Sequence, residues 1–145
     1  MKLTNMFAAM GMVVASSVGF AHGHGSCSET ELHEHMMSIK TELRSLAQDV
    51  KSDDLDGASG HVKALIGLFE DSKAETPYLF KEQKLTGSAL ESKQADYVAV
   101  LDDAIVKLKD IDSKIAMGDS GKIGSAVREL GKYRKIGHSK FKADC

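Results

Sequence analysis

Residues 28–50, SETELHEHMMSIKTELRSLAQDV, carry the pattern from which the fold follows. Ser28 and Glu31 stand at the spacing of a capping box, in which a hydroxyl bonds an amide three residues on and the carboxylate reaches back. Behind them Leu32, Met36, Ile39, Leu43, Leu46 and Val50 recur at gaps of 4, 3, 4, 3 and 4. At 3.6 residues per turn such gaps keep the apolar side chains on one stripe. The spacing predicts a helix from about Glu29 to Lys51 with one buried seam.

The same reading extends along the chain. Asp53-Asp54 supplies a cap for a second helix, whose seam is Leu55, Ala58, Val62, Leu65 and Phe69 and which ends near Ala74, before Thr76-Pro77. Gly57, Gly60 and Gly67 weaken its local preference by roughly 1 kcal/mol each. Thr76 to Ser88 mixes Pro, Gly and charge and reads as the longest connection. A third helix carries Leu90, Tyr97, Leu101, Ile105, Leu108, Ile111 and Ile115. Gly118 and Gly121 mark the turn after it. Asp119 or Ser120 caps a fourth helix with Ile123, Val127, Leu130, Gly137 and Phe141 on its seam. One proline in the whole sequence favours helices over a loop-rich β fold. The expectation is an all-α, antiparallel, up-down-up-down four-helix bundle over residues 29–145.

The first residues read differently. Met1-Lys2 gives a positive start, Met6 to Phe20 runs without charge, and Gly19-Phe20-Ala21 offers small residues at a cleavage site. This is the pattern of a secretory signal over residues 1–21, cleaved on export to the periplasm; it is too short and too weakly apolar for a spanning anchor. Residues 22–28 then form a polar, flexible lead-in. The formal net charge of −2 argues against a nucleic-acid partner, which requires a basic face.

Export places Cys27 and Cys145 in an oxidising compartment. Cys27 precedes the first helix and Cys145 follows the last, so in this topology both lie at one end of the bundle. A Cys27–Cys145 disulfide is expected there; two free thiols or pairing with another chain are the alternatives.

Met36 and His138 carry the chemistry. Met36 lies on the first seam, where a methionine is ordinarily core. On the fourth helix, Arg134 falls about 20° from Ile123 and His138 about 60° from it, so an arginine and a histidine sit on or beside an apolar stripe. A histidine so placed is more often a satisfied boundary residue than a ligand, and an arginine there is costly unless an anion meets it. Met36 is about 12 Å along its helix and His138 about 6 Å before the end of an antiparallel one. The two reach comparable heights, as a thioether–imidazole axial pair requires. Leu65, Phe69, Leu90 and Tyr97 are expected to wall a flat apolar cofactor at the same end.

These segments resemble the soluble periplasmic cytochrome b562 family. The likeness rests on Leu32-His33-Glu34-His35-Met36 with Ile39 and Leu43, and on Tyr133 through Lys142, with Lys73-Ala74-Glu75-Thr76-Pro77 between them; it is loose from Tyr78 through Gly118. The resemblance implies Met36 and His138 as axial ligands of one haem and an electron carrier rather than an enzyme. Related c-type bundles attach haem through Cys-x-x-Cys-His. Here Arg134 and Gly137 occupy the two Cys positions, so the haem would be of b type and non-covalent. Iron with both axial positions filled is left with one-electron exchange. Arg134 is placed to face a propionate or cover the haem edge, with Lys135 or Lys142 as alternatives between which the sequence does not choose. The redox partner protein is not named by the sequence; a monomer or weak dimer without stable membrane insertion is expected.

Two other readings stay open on the residues alone. Cleavage after Ala21 would expose His22-Gly23-His24, a chelate for copper or nickel through the amine, amides and imidazole, with His33, His35 and Met37 near in sequence. A haem-free helical bundle acting in stress response or protein contact is the other. A nucleophilic enzyme is disfavoured, since no Ser-His-acid or Cys-His spacing stands out.

Overall fold

The computed structural model describes residues 27–144. The segment read as a signal peptide, most of the lead-in, the His22-Gly23-His24 motif and Cys145 lie outside the described residues. After a 3₁₀ turn, Cys27–Glu29, come α1 (Glu31–Ser52), α2 (Leu55–Lys73), α3 (Tyr78–Glu82), α4 (Gly87–Met117) and α5 (Ser120–Phe141). Four of these are long, and they build the four-helix bundle that the periodicity predicts.

The first helix start departs from the expected capping box. Thr30, not Ser28, is the N-cap of α1: it holds an extended conformation and its Oγ1 accepts from the His33 amide at 3.2 Å. The Thr30 hydroxyl also donates to the Cys27 carbonyl at 3.0 Å. Cys27 is buried, and residues 27–29 turn in the 3₁₀ conformation before the helix begins. Anchoring Cys27 against the bundle costs Ser28 its place at the helix start. Cys27 and Ser28, expected in the flexible lead-in, thus belong to this 3₁₀ turn.

The other ends follow the sequence more closely. Asp54 caps α2 by accepting from the Gly57 amide at 3.0 Å. Gly57 is also required by space, because a Cβ there would stand 2.5 Å from Asp49 Oδ2. Asp119 caps α5, and Gly118 closes α4 in the left-handed conformation, φ 72°. Gly121, read as a turn residue, lies inside α5. The long connection after α2 contains α3, which the mixed composition of its segment concealed. α3 delivers Phe80, 1% exposed, to the end of the bundle.

Contacts between neighbours set each direction. His61 of α2 bonds Glu42 Oε2 at 2.6 Å and Asp49 Oδ2 at 3.2 Å on α1. Ser59 bonds Asp112, and the Tyr97 hydroxyl donates to the Ser72 carbonyl at 2.8 Å, so α2 and α4 run antiparallel. Lys107 bonds Glu129 at 2.6 Å across α4 and α5. α1 packs broadly on α2, α2 on α4 and α4 on α5; α1 and α5 meet most sparingly.

The main core takes Ile39 and Leu46 from α1, Val62 and Leu65 from α2, Leu108 and Ile111 from α4, and Ile123 and Leu130 from α5. A second cluster of Phe80, Tyr97, Leu101 and Phe141 plugs the end where α1 begins and α5 finishes, with Leu32 packed against it. Phe141 meets Phe80 and Tyr97 edge-on, with centroids 6.0 and 5.5 Å apart, an arrangement suited to the ring quadrupole. Phe69 touches both clusters.

Leu108 has no exposed surface. Leu108→Ala is expected to lower stability by about 2–5 kcal/mol in urea denaturation, the lost transfer energy plus a cavity. Exposed Val106 two residues away should tolerate alanine within about 0.5 kcal/mol. Equal effects at the two positions would contradict the packing described.

Candidate functional site

The pairing of α1 with α5 decides how Met36 and His138 relate. Each helix shows which flank it turns to which neighbour. On α1, Glu42 and Asp49 face α2 through His61. On α5, Glu129 faces α4 through Lys107, and a Cβ on Gly137 would lie 3.8 Å from Val100 of α4. The opposite flanks face each other. A Cβ on Gly124 of α5 would lie 3.9 Å from Val50 Cγ1 of α1.

That contact sets a register. Counting fourteen residues back from Val50 reaches Met36, and fourteen on from Gly124 reaches His138. Both steps cover about 21 Å, and helical twist returns both residues to within about 40° of their starting directions. Leu32 and Phe141 meet in the end cluster just beyond. Met36 and His138 therefore occupy one level, on flanks that face each other. Two stripes at seven-residue spacing oppose across this seam: Val50, Leu43 and Met36 on α1, and Gly124, Gly131 and His138 on α5.

The seam opens toward that level. Gly124 stands near Val50, but a Cβ on Gly131, one heptad further, would meet nothing within 4 Å. Met36, Leu43 and Val50 are half-buried where Ile39 and Leu46, turned more to α2, are buried. Arg134 and His138 are exposed, although their helical angles point toward α1. The expectation that His138 turns inward is thus corrected: it borders the core at the mouth of an open seam. The physical reason is the sparse packing of α1 on α5, which leaves this stretch of the seam uncovered.

Electrostatics favour a neutral imidazole. His138 is held below the ordinary histidine pKa, first by loss of solvation, then by the charges of Arg134 and Lys142. A neutral ring nitrogen is what a metal requires. No ion pair engages Arg134 among the described residues, so its side chain is free to meet an anion at the seam.

The proposed wall residues separate. Leu65 is fully buried in the main core. Tyr97 is committed to the end plug by its bond to Ser72, and burial, aided by the Glu75 charge, raises its phenol pKa. Leu90 packs on the same plug, half-buried. Phe69, half-buried between the two clusters, is the aromatic best placed to adjust. Beside Met36, His35 has a buried Nδ1 with no hydrogen-bond partner among the described residues, but its angle carries it to the α2 side. Met37 is 49% exposed.

The sequence reading missed Gly131. Its signal was present as the heptad Gly124, Gly131, His138, but a glycine's emptiness has meaning only once the opposing helix is known.

The family profile of cytochrome b562 matches residues 31–142. The chain belongs to the cytochrome b562 family. The match runs from the start of α1 to the cap of α5 and so contains both stripes. No curated protein and no solved structure matches the chain. Among the described residues no helix is long and apolar enough to cross a membrane, and no group of three or more His, Cys, Asp or Glu is arranged to hold a metal ion.

Within this cytochrome b562 chain, His138 should titrate below an ordinary histidine in the absence of cofactor. Its folded pKa lies below the unfolded one, so its cost to stability is absent above the unfolded value and grows as pH falls through it. Arg134→Gln should move the midpoint upward in an NMR titration of the ring protons. A midpoint in the folded chain equal to that of a short peptide would contradict the described environment.

Proposed function

We propose that the protein is a periplasmic b-type cytochrome that carries single electrons, with Met36 and His138 as the axial ligands of one non-covalent haem. The observation that carries this reading is the register of the α1–α5 seam, which sets the two residues at one level on facing flanks, one heptad beyond the open space at Gly131. Membership of the cytochrome b562 family supports the cofactor class. The donor set fits haem: a soft thioether opposes an imidazole kept neutral by its surroundings. With Arg134 and Gly137 at the positions where a covalent site would have cysteines, attachment rests on axial bonds and apolar burial.

Haem iron so bound supplies one-electron exchange, with methionine ligation favouring the ferrous state. The chain's own residues do the rest. Met36 and His138 would hold the group at their shared level of the seam. Leu43 and Phe69 exclude water from the apolar side, while Leu65 and Tyr97 form the rigid backing behind them. Arg134 meets the anionic edge. With Met36 and His138 as its two ligands, a bound haem would offer no open position to a substrate, and one-electron exchange is the chemistry it would supply.

A Cys27–Cys145 disulfide is part of the proposal. Cys27 is buried beside the start of α1 and is not a free thiol. A loop closed over nearly the whole bundle is worth roughly 4–5 kcal/mol in the chain-entropy view. Export through residues 1–21 is proposed likewise, and N-terminal sequencing of periplasmic protein should read from His22.

Haem titration into the cofactor-free protein tests the reading. The reduced product should show sharp α and β bands, and acid-acetone should extract the haem. Met36→Ala should retain the fold and turn the spectrum high-spin. His138→Ala should weaken retention strongly, and Gly131→Leu should block uptake while helix content, read by circular dichroism, is kept. Retention should also fail as pH drops, because the proton competes for the His138 nitrogen. A low-spin spectrum in Met36→Ala would move the ligand to another side chain, and unaltered retention in His138→Ala would remove the histidine.

A further inference from the structure

The charges of α1 and α5 are sorted by face. Lys40, Arg44 and Lys51 project from the flank of α1 beside the seam, and Arg128, Lys132 and Lys135 from the corresponding flank of α5. All are exposed, and none makes an ion pair with another described residue. Arg134 and Lys142 add positive charge at His138 itself.

The carboxylates of the two helices are turned elsewhere. Glu42 and Asp49 are engaged by His61 of α2, and Glu129 by Lys107 of α4. Glu31 and Glu34 lie about 100° or more round α1 from the cationic flank. A chain of net charge −2 thus presents one face dominated by cations, with Glu129 at its edge the one carboxylate of these helices close to them. Two haem carboxylates at the seam would neutralise only part of it.

Uncompensated charge of one sign over about 20 Å of two helices raises the local concentration of oppositely charged partners and orients their approach. Self-repulsion among these cations disfavours the fold; within the described bundle it is relieved only at Lys132, which lies within electrostatic reach of Glu129. The face carries no aromatic side chain to enter a bilayer interface, as surface-bound helices use. Of the large exposed apolar side chains, Met37 alone lies beside the cationic flank; Val106 and Met117 belong to α4, and Ile136 points away from the seam.

We propose that the α1–α5 face is the docking surface for an acidic patch on a partner protein, guiding that partner to the open seam at Met36 and His138. The partner's being a redox protein rests on the haem reading above; the docking surface rests on the charge arrangement alone.

The binding arm uses the tag-free chain and polyglutamate as an acidic polypeptide. Amide shifts at low salt should concentrate on α1 and α5 and vanish at high salt. The pair Arg44→Glu with Lys135→Glu should weaken binding about tenfold or more, while Lys63→Glu on α2 leaves it nearly unchanged. Shifts spread without preference, or an equal loss in Lys63→Glu, would overturn the proposal. So would capture by vesicles containing phosphatidylglycerol with no binding of polyglutamate, which would assign the face to a membrane.

The kinetic arm uses the reduced holoprotein with hexacyanoferrate(III). One electron passes to the anion, giving hexacyanoferrate(II), and no proton moves. Net charge alone makes this rate rise with salt, because like charges are screened. Docking at the cationic face makes it fall, and the charge-reversal pair should remove the fall. A rate that rises with salt in the unaltered protein would sink the proposal. A chain that binds polyglutamate on this face but takes up no haem keeps the docking surface and loses the haem reading; uptake of haem without such binding does the reverse.

Discussion

The antiparallel register of α1 against α5 is the constraint on which the rest depends. It is fixed at the far end of the seam, where Gly124 lies beside Val50, so that a Cβ there would stand 3.9 Å from Val50 Cγ1. From there two rigid helices of equal rise carry the register to the other end. Met36 and His138 need no direct contact to be matched, because their level is inherited from packing about 21 Å away. The end plug of Phe80, Tyr97 and Phe141 prevents the helix ends from sliding.

The proposed site lies on the sparsest of the four long-helix interfaces, that of α1 with α5. The three broader interfaces hold the buried aliphatic core and the ion pairs that bridge helices, including those of His61 and Lys107. Those interfaces can keep the bundle folded while the fourth stays open. This division accords with the general finding that ligand sites are drawn from the less stable parts of a fold. It also explains why His138 and Arg134 are exposed although they sit beside an apolar stripe. The same openness leaves the cations beside the seam without partners.

Sequence periodicity was a good guide wherever a helix buried a complete stripe. Leu101, Ile105, Leu108, Ile111 and Ile115 were legible on α4 because each shows the same gap pattern and all are buried. It failed where tertiary contacts compete with local signals. Ser28 had the better capping-box spacing, but the buried turn at Cys27 gave the role to Thr30. α3 has only one buried anchor, Phe80, which is too little for a periodic signal.

By itself the sequence determined the helices, their apolar stripes and the residues with the chemistry to hold a metal, because these depend on spacing within one segment. It also carried the family motifs around Met36 and His138. Tertiary structure alone decided which flank of each helix meets which neighbour, that the seam between first and last opens at Gly131, and that the cations gather beside it. Those properties depend on distances between segments far apart in the chain, and no local pattern encodes the gap that two packed helices leave between them.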